Sequence, residues 1–122
     1  MRVLLSIKPE FALKIFDGSK RYEYRRTIFK RGEVKTVVVY AADPIKKVIG
    51  EFDIGDILHE DPKVLWAKTG DHAGITKKRF LEYFENKAKG YAIKVKEARI
   101  YEPPIPLNKL MVPWPPQSFM YL

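Results

Sequence analysis

The sequence predicts an α+β fold in which about six strands form a small, partly closed mixed β-barrel flanked by three helices. Residues 20–54 read as consecutive strands with no helix between them, and that order indicates antiparallel pairing. The predicted helices are too few to cover both faces of a parallel sheet. The 122 residues, of which 46% are hydrophobic, can bury one core and contain neither internal repeats nor a linker. We therefore expect residues 1–122 to form a single domain.

The chain opens with a predicted strand and a predicted helix. Residues 3–7 are an apolar run that is typical of a central strand. Pro9 suits the first turn of a helix, because proline has no backbone N–H that would need an acceptor there. Apolar side chains then recur on one face as far as Phe16, and Gly18 ends the helix, since glycine readily adopts a positive φ.

Three strands are predicted to follow this helix. Residues 20–26 alternate in character, and residues 34–41 are rich in β-branched side chains. Residues 45–54 return after an Asp-Pro turn and form a hairpin partner. Gly50 lies inside this third strand, where a glycine indicates a bulge or a close approach of another part of the chain.

The second half of the chain predicts two helices and a long strand. Capping residues, proline and glycine place a short helix at residues 63–69 and another at residues 76–86, with a mobile loop between them. Residues 91–101 read as a strand whose apolar parity changes near Glu97, where we expect a bulge. A proline-rich stretch then predicts an extended wrap, and residues 119–122 predict a last edge strand.

The net charge of +8 is unevenly distributed along the sequence. Residues 20–35 contain seven Lys or Arg against two Glu, and residues 77–99 contain eight against three, so each segment has a net charge of +5. Residues 50–62 contain five acidic side chains and no Lys or Arg, which gives a net charge of −5. A surface polarised in this way attracts anions, and nucleic acid is the commonest large anion.

One short segment concentrates charge next to the first helix. Gly18, Lys20, Glu23 and Arg25 form the pattern Gly-x-Lys-x-x-Glu-x-Arg. This pattern resembles the signature of the activating-signal-cointegrator homology (ASCH) domains, which are relatives of the PUA domains of RNA-modifying enzymes. Four further segments are similar to this family in the same order along the chain, and the last of them is similar to its stand-alone archaeal members. These segments are residues 5–9, 49–52, 90–93 and 115–119.

The resemblance implies a PUA-like β-barrel with a charged cleft that binds RNA or a nucleotide-like ligand, and it implies no cofactor. Lysine and arginine in such a cleft neutralise phosphate, and a glutamate accepts hydrogen bonds from a base or orients the arginine. Tyr83, which Arg79 and Lys87 flank at helical spacing, is the best aromatic candidate for stacking on a base. The predicted binding residues are Lys8, Lys20, Glu23, Arg25, Arg26 and Tyr83.

The predicted strand imposes a condition on this cleft. Strict alternation places Lys20 on the opposite face from Glu23 and Arg25, so Lys20 must precede the regular strand or lie at a bulge to join them. The alternative without a ligand site is a Glu23–Arg25 salt bridge on a solvated strand face, which would contribute little to stability.

Two other functions are alternatives to binding. Some small bacterial ASCH members look like amidohydrolases that act on N4-acetylcytidine, with a lysine, a threonine nucleophile three residues later and a downstream glutamate. Lys20 matches that lysine, but Glu23 occupies the threonine position and could act only as a base on water. The candidate downstream acids are Glu82 and Glu85. A protein-interaction module would instead use the acidic residues 50–62 or the proline-rich C-terminal stretch.

The remaining features predict structure rather than chemistry. His59 and His72 lie near several acidic residues, but a solvated acidic loop is favoured over a metal site because the chain has no cysteine. Trp66 is expected to pack in the core. Abundant charged residues with few Asn and Gln are typical of thermophile proteins. No apolar run approaches the ~20 residues of a membrane helix, so we expect a cytoplasmic protein.

Overall fold

Six strands, three helices and two short 3₁₀ turns follow one another along the chain, and the computed structural model describes residues 1–122. The strands are β1 (Arg2–Ile7), β2 (Tyr22–Arg25), β3 (Thr36–Ala41), β4 (Lys47–Glu60), β5 (Gly90–Ile105) and β6 (Phe119–Tyr121). The helices are α1 (Pro9–Asp17), α2 (Pro62–Thr69) and α3 (Lys77–Tyr83), and the 3₁₀ turns are Gly70–His72 and Leu107–Leu110.

The strands form one sheet that curls into a half-barrel, in the order β2-β5-β4-β3-β1-β6. β1 pairs with β3 in parallel, and every other neighbouring pair is antiparallel. The chain passes through α1 and β2 between β1 and β3, because a parallel pair requires a long connection. The predicted α+β mixed barrel with three flanking helices is confirmed, and its two edge strands are β2 and β6.

The glycine inside the third predicted strand lies at a bulge and at a close approach. The register between β3 and β4 shifts between Val39 and Tyr40, opposite Gly50. A Cβ atom on Gly50 would lie 2.6 Å from the ring of Phe16 and 2.6 Å from the carbonyl oxygen of Arg99. Only glycine allows α1 and β5 to approach β4 so closely.

β4 and β5 form the longest ladder of the sheet, and both strands extend beyond their predicted ends. Their register shifts between Asp53, which is opposite Glu97, and Ile54, which is opposite Val95. Lys96 is therefore the additional residue on β5. The expected bulge near Glu97 is present, and it changes which face of the sheet the following side chains occupy.

Most of the acidic residues 50–62 belong to β4. The sequence predicts a strand only as far as residue 54, so the acidic loop expected after it is wrong for residues 55–60. Pairing with β5 satisfies the backbone groups of this segment, and this pairing overrides the low strand propensity of acidic residues. Its carboxylates also have partners within the chain. Arg99 forms ion pairs with Glu51 and Asp53, and Lys68 forms one with Glu60.

The two histidines do not come together in a metal site. The ring of His59 stacks on that of Tyr91 with centroids 4.0 Å apart, and His72 is exposed in the first 3₁₀ turn. No group of three or more His, Asp or Glu side chains is arranged to bind a metal ion. The segment between α2 and α3 is anchored to the core, because Ala73 is buried.

The helix boundaries follow the capping residues. α1 ends where Gly18 adopts a φ of 88°. The side chains of Asp61 and Thr76 each accept a hydrogen bond from a first-turn backbone N–H, at the starts of α2 and α3. α3 ends at Tyr83, earlier than predicted, and Asn86 lies in the following turn with a φ of 64°.

Three hydrophobic clusters make up the core. The largest lies between α1 and one face of the sheet, around the fully buried Phe52. A second lies beneath α2 and α3 around Phe80, and Trp66 packs against it as expected. The third joins β1, β3 and the C-terminal segment through Val112. None of the helices has the length and apolar character that crossing a membrane requires.

Candidate ligand-binding cavity

A partly open cavity of about 370 Å³ lies where α1, β2, α3 and the C-terminal segment meet. This volume is in the lower part of the ~300–1,000 Å³ range of small-molecule sites. Aromatic and charged side chains form much of its wall. The lining residues are Ser6, Ile7, Lys8, Phe11, Lys20, Glu23, Tyr24, Arg25, Ala42, Ile75, Phe80, Tyr83 and Gln117.

Lys20 is a buried cation in this wall, with only 3% of its surface exposed. It precedes β2, so the alternation of that strand does not separate it from Glu23. Its ammonium group donates a hydrogen bond to the Ala73 carbonyl oxygen at 2.8 Å and lies 4.7 Å from the centroid of the Tyr24 ring. Burial lowers the pKa of Lys20, and the negative charge of Glu23 acts in the opposite direction.

The turn before α3 fixes the position of this lysine. Gly74 has a φ of 65°, and a Cβ atom there would lie 2.6 Å from the Cβ atom of Lys20 and 3.2 Å from its Cα atom. The carbonyl oxygen of Gly74 accepts a hydrogen bond from the Lys14 ammonium group at 3.2 Å. The turn thus packs directly against the backbone of Lys20.

Glu23 and Arg25 form an ion pair that is buried beside the cavity. Arg25 Nη1 donates to Glu23 Oε2 at 3.2 Å. The side chain of Arg25 is 12% exposed and that of Glu23 is 7% exposed. The salt bridge considered from sequence therefore exists, but it does not lie on a solvated face. The other oxygen of Glu23, Oε1, accepts no hydrogen bond within the chain and is not fully enclosed.

Arg25 also joins the two edges of the sheet. Its Nη2 atom donates to the carbonyl oxygen and the hydroxyl of Ser118, at 3.1 and 3.2 Å, and its Nη1 atom also donates to the Ser6 carbonyl oxygen at 3.4 Å. Ser118 immediately precedes β6, whereas Arg25 lies on β2. We call this junction of β2 and β6, bridged by Arg25 and Ser118, the seam. Because its terminal N–H groups have partners here, Arg25 is suited to orient Glu23 rather than to bind phosphate.

Aromatic side chains make the apolar part of the wall. The rings of Tyr24 and Phe80 pack edge to face with centroids 4.9 Å apart. The Tyr24 hydroxyl donates to Thr69 Oγ1 at 2.7 Å, because the Thr69 hydroxyl itself donates to the Leu65 carbonyl oxygen. Burial raises the pKa of Tyr24 to about 12. The Tyr83 hydroxyl donates to the Tyr24 carbonyl oxygen at 3.2 Å, which places the partly exposed Tyr83 ring at the mouth.

Five of the six predicted binding residues line the cavity, and Arg26 does not. Arg26 Nη1 instead donates to the carbonyl oxygens of Tyr83 and Glu85, at 2.8 and 3.0 Å. The first of these carbonyl groups belongs to the last residue of α3 and the second to the turn that follows, where helix carbonyl groups lack partners within the helix. Arg26 thus connects β2 to α3 behind Tyr83. The two candidate downstream acids, Glu82 and Glu85, also lie outside the cavity wall.

Sequence reasoning did not predict Gln117 or Phe11 in the wall, nor the contact of Ser118 with Arg25. Gln117 lines the mouth, and its neighbour Ser118 binds Arg25; both lie in the segment 115–119 that resembles the ASCH family. The resemblance of this segment to the family indicated that it matters, but it assigned no role to Gln117 or Ser118. Phe11 also lines the cavity. The sequence placed it only on the apolar face of α1, because a side chain that packs in the core and one that lines a cavity give the same helical periodicity of apolar residues.

The sequence pattern of the ASCH domain matches residues 5–99, which is most of the chain. The chain belongs to the ASCH domain family. The crystal structure of ASCH from Zymomonas mobilis superimposes on this ASCH domain with a TM-score of 0.91 and 31% identity, covering 99% of this chain and 87% of that one. A Zymomonas mobilis relative named ASCH domain-containing ribonuclease is 30% identical over 125 residues, 98% of this chain and 82% of the relative.

Other similar proteins are longer or more distant. A protein of Ureaplasma parvum named large ribosomal subunit protein uL22 is 30% identical over 120 residues, which are 98% of this chain but 39% of that protein. This ASCH domain therefore spans less than half of that relative. The N-terminal domain of Staphylothermus marinus McrB has a TM-score of 0.60 at 15% identity, and it shares the fold alone.

Proposed function

We propose that this ASCH domain binds RNA or a nucleotide-like ligand, with one base inserted into the cavity. The observation that carries the proposal is the presence of buried charge beside aromatic walls. Lys20 and Glu23 are 3% and 5% exposed, yet both line the cavity with Tyr24 and Phe80. Burial of charged groups is costly, and a ligand that hydrogen-bonds to them would offset this cost.

A nucleobase matches this wall because it has apolar faces and a polar edge. Stacking of one base on an aromatic ring contributes about 1–3 kcal/mol. Glu23 Oε1 can accept a hydrogen bond from an amino group of the base. Lys20 makes one hydrogen bond within the chain, so two of its three N–H groups can donate to a carbonyl oxygen of the base. The pair therefore offers an acceptor and a donor to the edge of the same base.

The phosphates of such a ligand would lie at the mouth of the cavity. Lys8 lines the cavity, is exposed and forms no ion pair. The net charge of +8 attracts a polyanion over a longer range. The similarity to a relative that is named a ribonuclease also supports RNA as the ligand class.

The test is a titration of single-stranded RNA by fluorescence anisotropy at several salt concentrations. Each phosphate contact should reduce log K by ~0.7 per log unit of salt, so three to five contacts give a slope of about −2 to −4. Lys8→Ala should make the slope shallower by about 0.7. Lys63→Ala, which removes an exposed lysine of α2 outside the cavity, should leave it unchanged. Affinity independent of salt, or no binding at low salt, would contradict the proposal.

Hydrolysis in the same cavity is the second candidate function. Two side chains in the cavity wall favour it. Burial lowers the pKa of Lys20, and the carboxylate of Glu23 lines the same cavity. A base positioned near a substrate typically contributes about 10²–10⁴-fold to the rate. Glu23→Gln retains the acceptor for Arg25 and removes the base.

An assay with RNA and with N4-acetylcytidine distinguishes the two functions. A hydrolase should lose about 10²–10⁴-fold of its rate in Glu23→Gln. A binding domain should show no turnover in either form and a changed base preference in the variant, because an acceptor-only group has become both a donor and an acceptor. Turnover by the wild-type protein that is lost in the variant would replace the binding proposal with the hydrolytic one.

A further inference from the structure

Trp114 is a large aromatic side chain with no structural partner. It is 71% exposed, whereas the other tryptophan, Trp66, packs against Phe80. The indole of Trp114 pairs with no other aromatic ring and belongs to none of the three hydrophobic clusters. An exposed tryptophan of this kind does not contribute to the core, and tryptophan is enriched at binding interfaces.

The backbone around Trp114 is fixed at both ends. Val112 is buried in the third cluster, and the Pro116 carbonyl oxygen accepts a hydrogen bond from the Ser6 hydroxyl at 2.7 Å. Pro113 and Pro115 flank the tryptophan and restrict φ on either side. A ring presented on such a segment loses little conformational entropy when it binds.

This fixed segment runs directly into the cavity wall. Gln117, three residues after Trp114, lines the cavity, and three residues span at most about 11 Å. Ser6, which binds Pro116, also lines it. A nucleotide chain with one base in the cavity can therefore extend along the segment that carries Trp114. A base is the favoured occupant, because the protein is strongly basic and the segment that carries Trp114 continues into the wall of a cavity suited to a base.

We infer that Trp114 stacks on the nucleotide next to the one in the cavity, and that the ligand is therefore an RNA chain and not a single nucleotide. This inference rests on the proposed function and narrows it. The cavity alone can hold one nucleotide, whereas Trp114 adds binding energy only when a second nucleotide is covalently attached to the first.

The experiment compares the four ribonucleoside monophosphates with the corresponding tetraribonucleotides as probes. Wild-type protein should bind a tetranucleotide more tightly than its monophosphate. Trp114→Ala should weaken tetranucleotide binding by about 5- to 150-fold, the equivalent of one base stacked on one aromatic ring, and leave monophosphate binding unchanged. Trp114→Phe should retain most of the affinity. Met111→Ala, which removes a 90% exposed apolar side chain from the same segment, is the matched control and should have no effect.

Tryptophan fluorescence provides an independent measurement. Trp66 and Trp114 are the two tryptophans, so in Trp66→Phe the emission comes from Trp114 alone. Tetranucleotides should quench this emission, and monophosphates should not. Equal affinity of Trp114→Ala and the wild type for tetranucleotides, or an equal loss for both probes, would overturn the inference. So would self-association of the wild type that Trp114→Ala abolishes without any change in tetranucleotide binding.

The outcomes also separate this inference from the proposed function. Binding of monophosphates without any gain from a longer chain would leave the proposed function in place and refute the role of Trp114. Failure of both probes to bind at low salt would refute the proposed function, and the inference with it.

Discussion

Replacement of Gly74 by alanine would test whether the turn before α3 positions Lys20. The new methyl group would lie 2.6 Å from the Cβ atom of Lys20, at a backbone φ of 65°. The contacted atoms are Cβ at 2.6 Å, Cγ at 2.8 Å and Cα at 3.2 Å. Rotation of the Lys20 side chain moves Cγ but neither Cβ nor Cα, so it cannot relieve the closest contact. We expect the turn and Lys20 to separate, and the hydrogen bond from Lys20 to the Ala73 carbonyl oxygen to weaken.

Gly18→Ala is the control that isolates this contact. Gly18 has a φ of 88°, but a Cβ atom there would have no other atom within 4 Å. Both variants incur the cost of an alanine in the left-handed region, about 1–2 kcal/mol, and both reduce the entropy of the unfolded chain equally. Gly74→Ala also incurs overpacking of about 1–3 kcal/mol. The free energy of unfolding should therefore fall by about 2–5 kcal/mol in Gly74→Ala and about 1–2 kcal/mol in Gly18→Ala.

Urea unfolding of the two variants measures this difference, provided that the m-values agree. Nucleotide binding measured on the same samples should weaken in Gly74→Ala, by up to about 100-fold if a charge-assisted hydrogen bond is lost, and should not change in Gly18→Ala. Equal losses of stability in the two variants would refute the argument that Gly74 packs against Lys20. An unchanged affinity in Gly74→Ala would refute the link from this turn to the ligand.

Three further predictions concern stability. Phe80→Ala removes a fully buried ring from the second cluster and should lower the free energy of unfolding by about 3–5 kcal/mol in a urea titration. Burial lowers the pKa of Lys20 below its ordinary value of 10.5. Between the lowered pKa and 10.5 the unfolded chain binds more protons than the folded chain, so the free energy of unfolding rises with pH over this range. Lys20→Met should flatten that rise, and a parallel pH profile would contradict the prediction. Arg26→Ala removes two exposed hydrogen bonds, whose carbonyl acceptors water can then hydrate, so stability should fall by only about 0.5–1.5 kcal/mol, and Arg26→Lys should restore part of it.

The sequence predicted those parts of the site that depend on short-range spacing. Lys20, Glu23 and Arg25 lie within six residues, so a strand that begins after Lys20 is enough to bring them together. The glycine inside β4 and the parity change near Glu97 likewise predicted irregular pairing, because each is a local departure from strand pattern. The helix starts followed from capping residues in the same way.

The parts that the sequence did not predict depend on contacts between distant segments. Arg25 and Ser118 are 93 residues apart, and no local pattern indicates that the two edges of the sheet meet there. Burial of the Glu23–Arg25 ion pair follows from that contact. The salt bridge predicted as the alternative is therefore present, but its predicted solvated position is wrong. The length of β4 was also not predictable, since its acidic residues resemble a loop until the β5 ladder is known.

The seam has a consequence for how the domain opens. Every other junction in the sheet is a ladder of backbone hydrogen bonds, whereas β2 and β6 are joined by the side chain of Arg25. Opening of the seam breaks a few side-chain contacts and leaves each ladder of backbone hydrogen bonds intact. It therefore requires much less free energy than global unfolding. Amide hydrogens near Ser118 should consequently exchange through local opening, faster than those of the β3–β4 ladder. A ligand that contacts both sides of the seam would then slow this exchange and also raise the melting temperature, because it binds only the form in which the seam is closed.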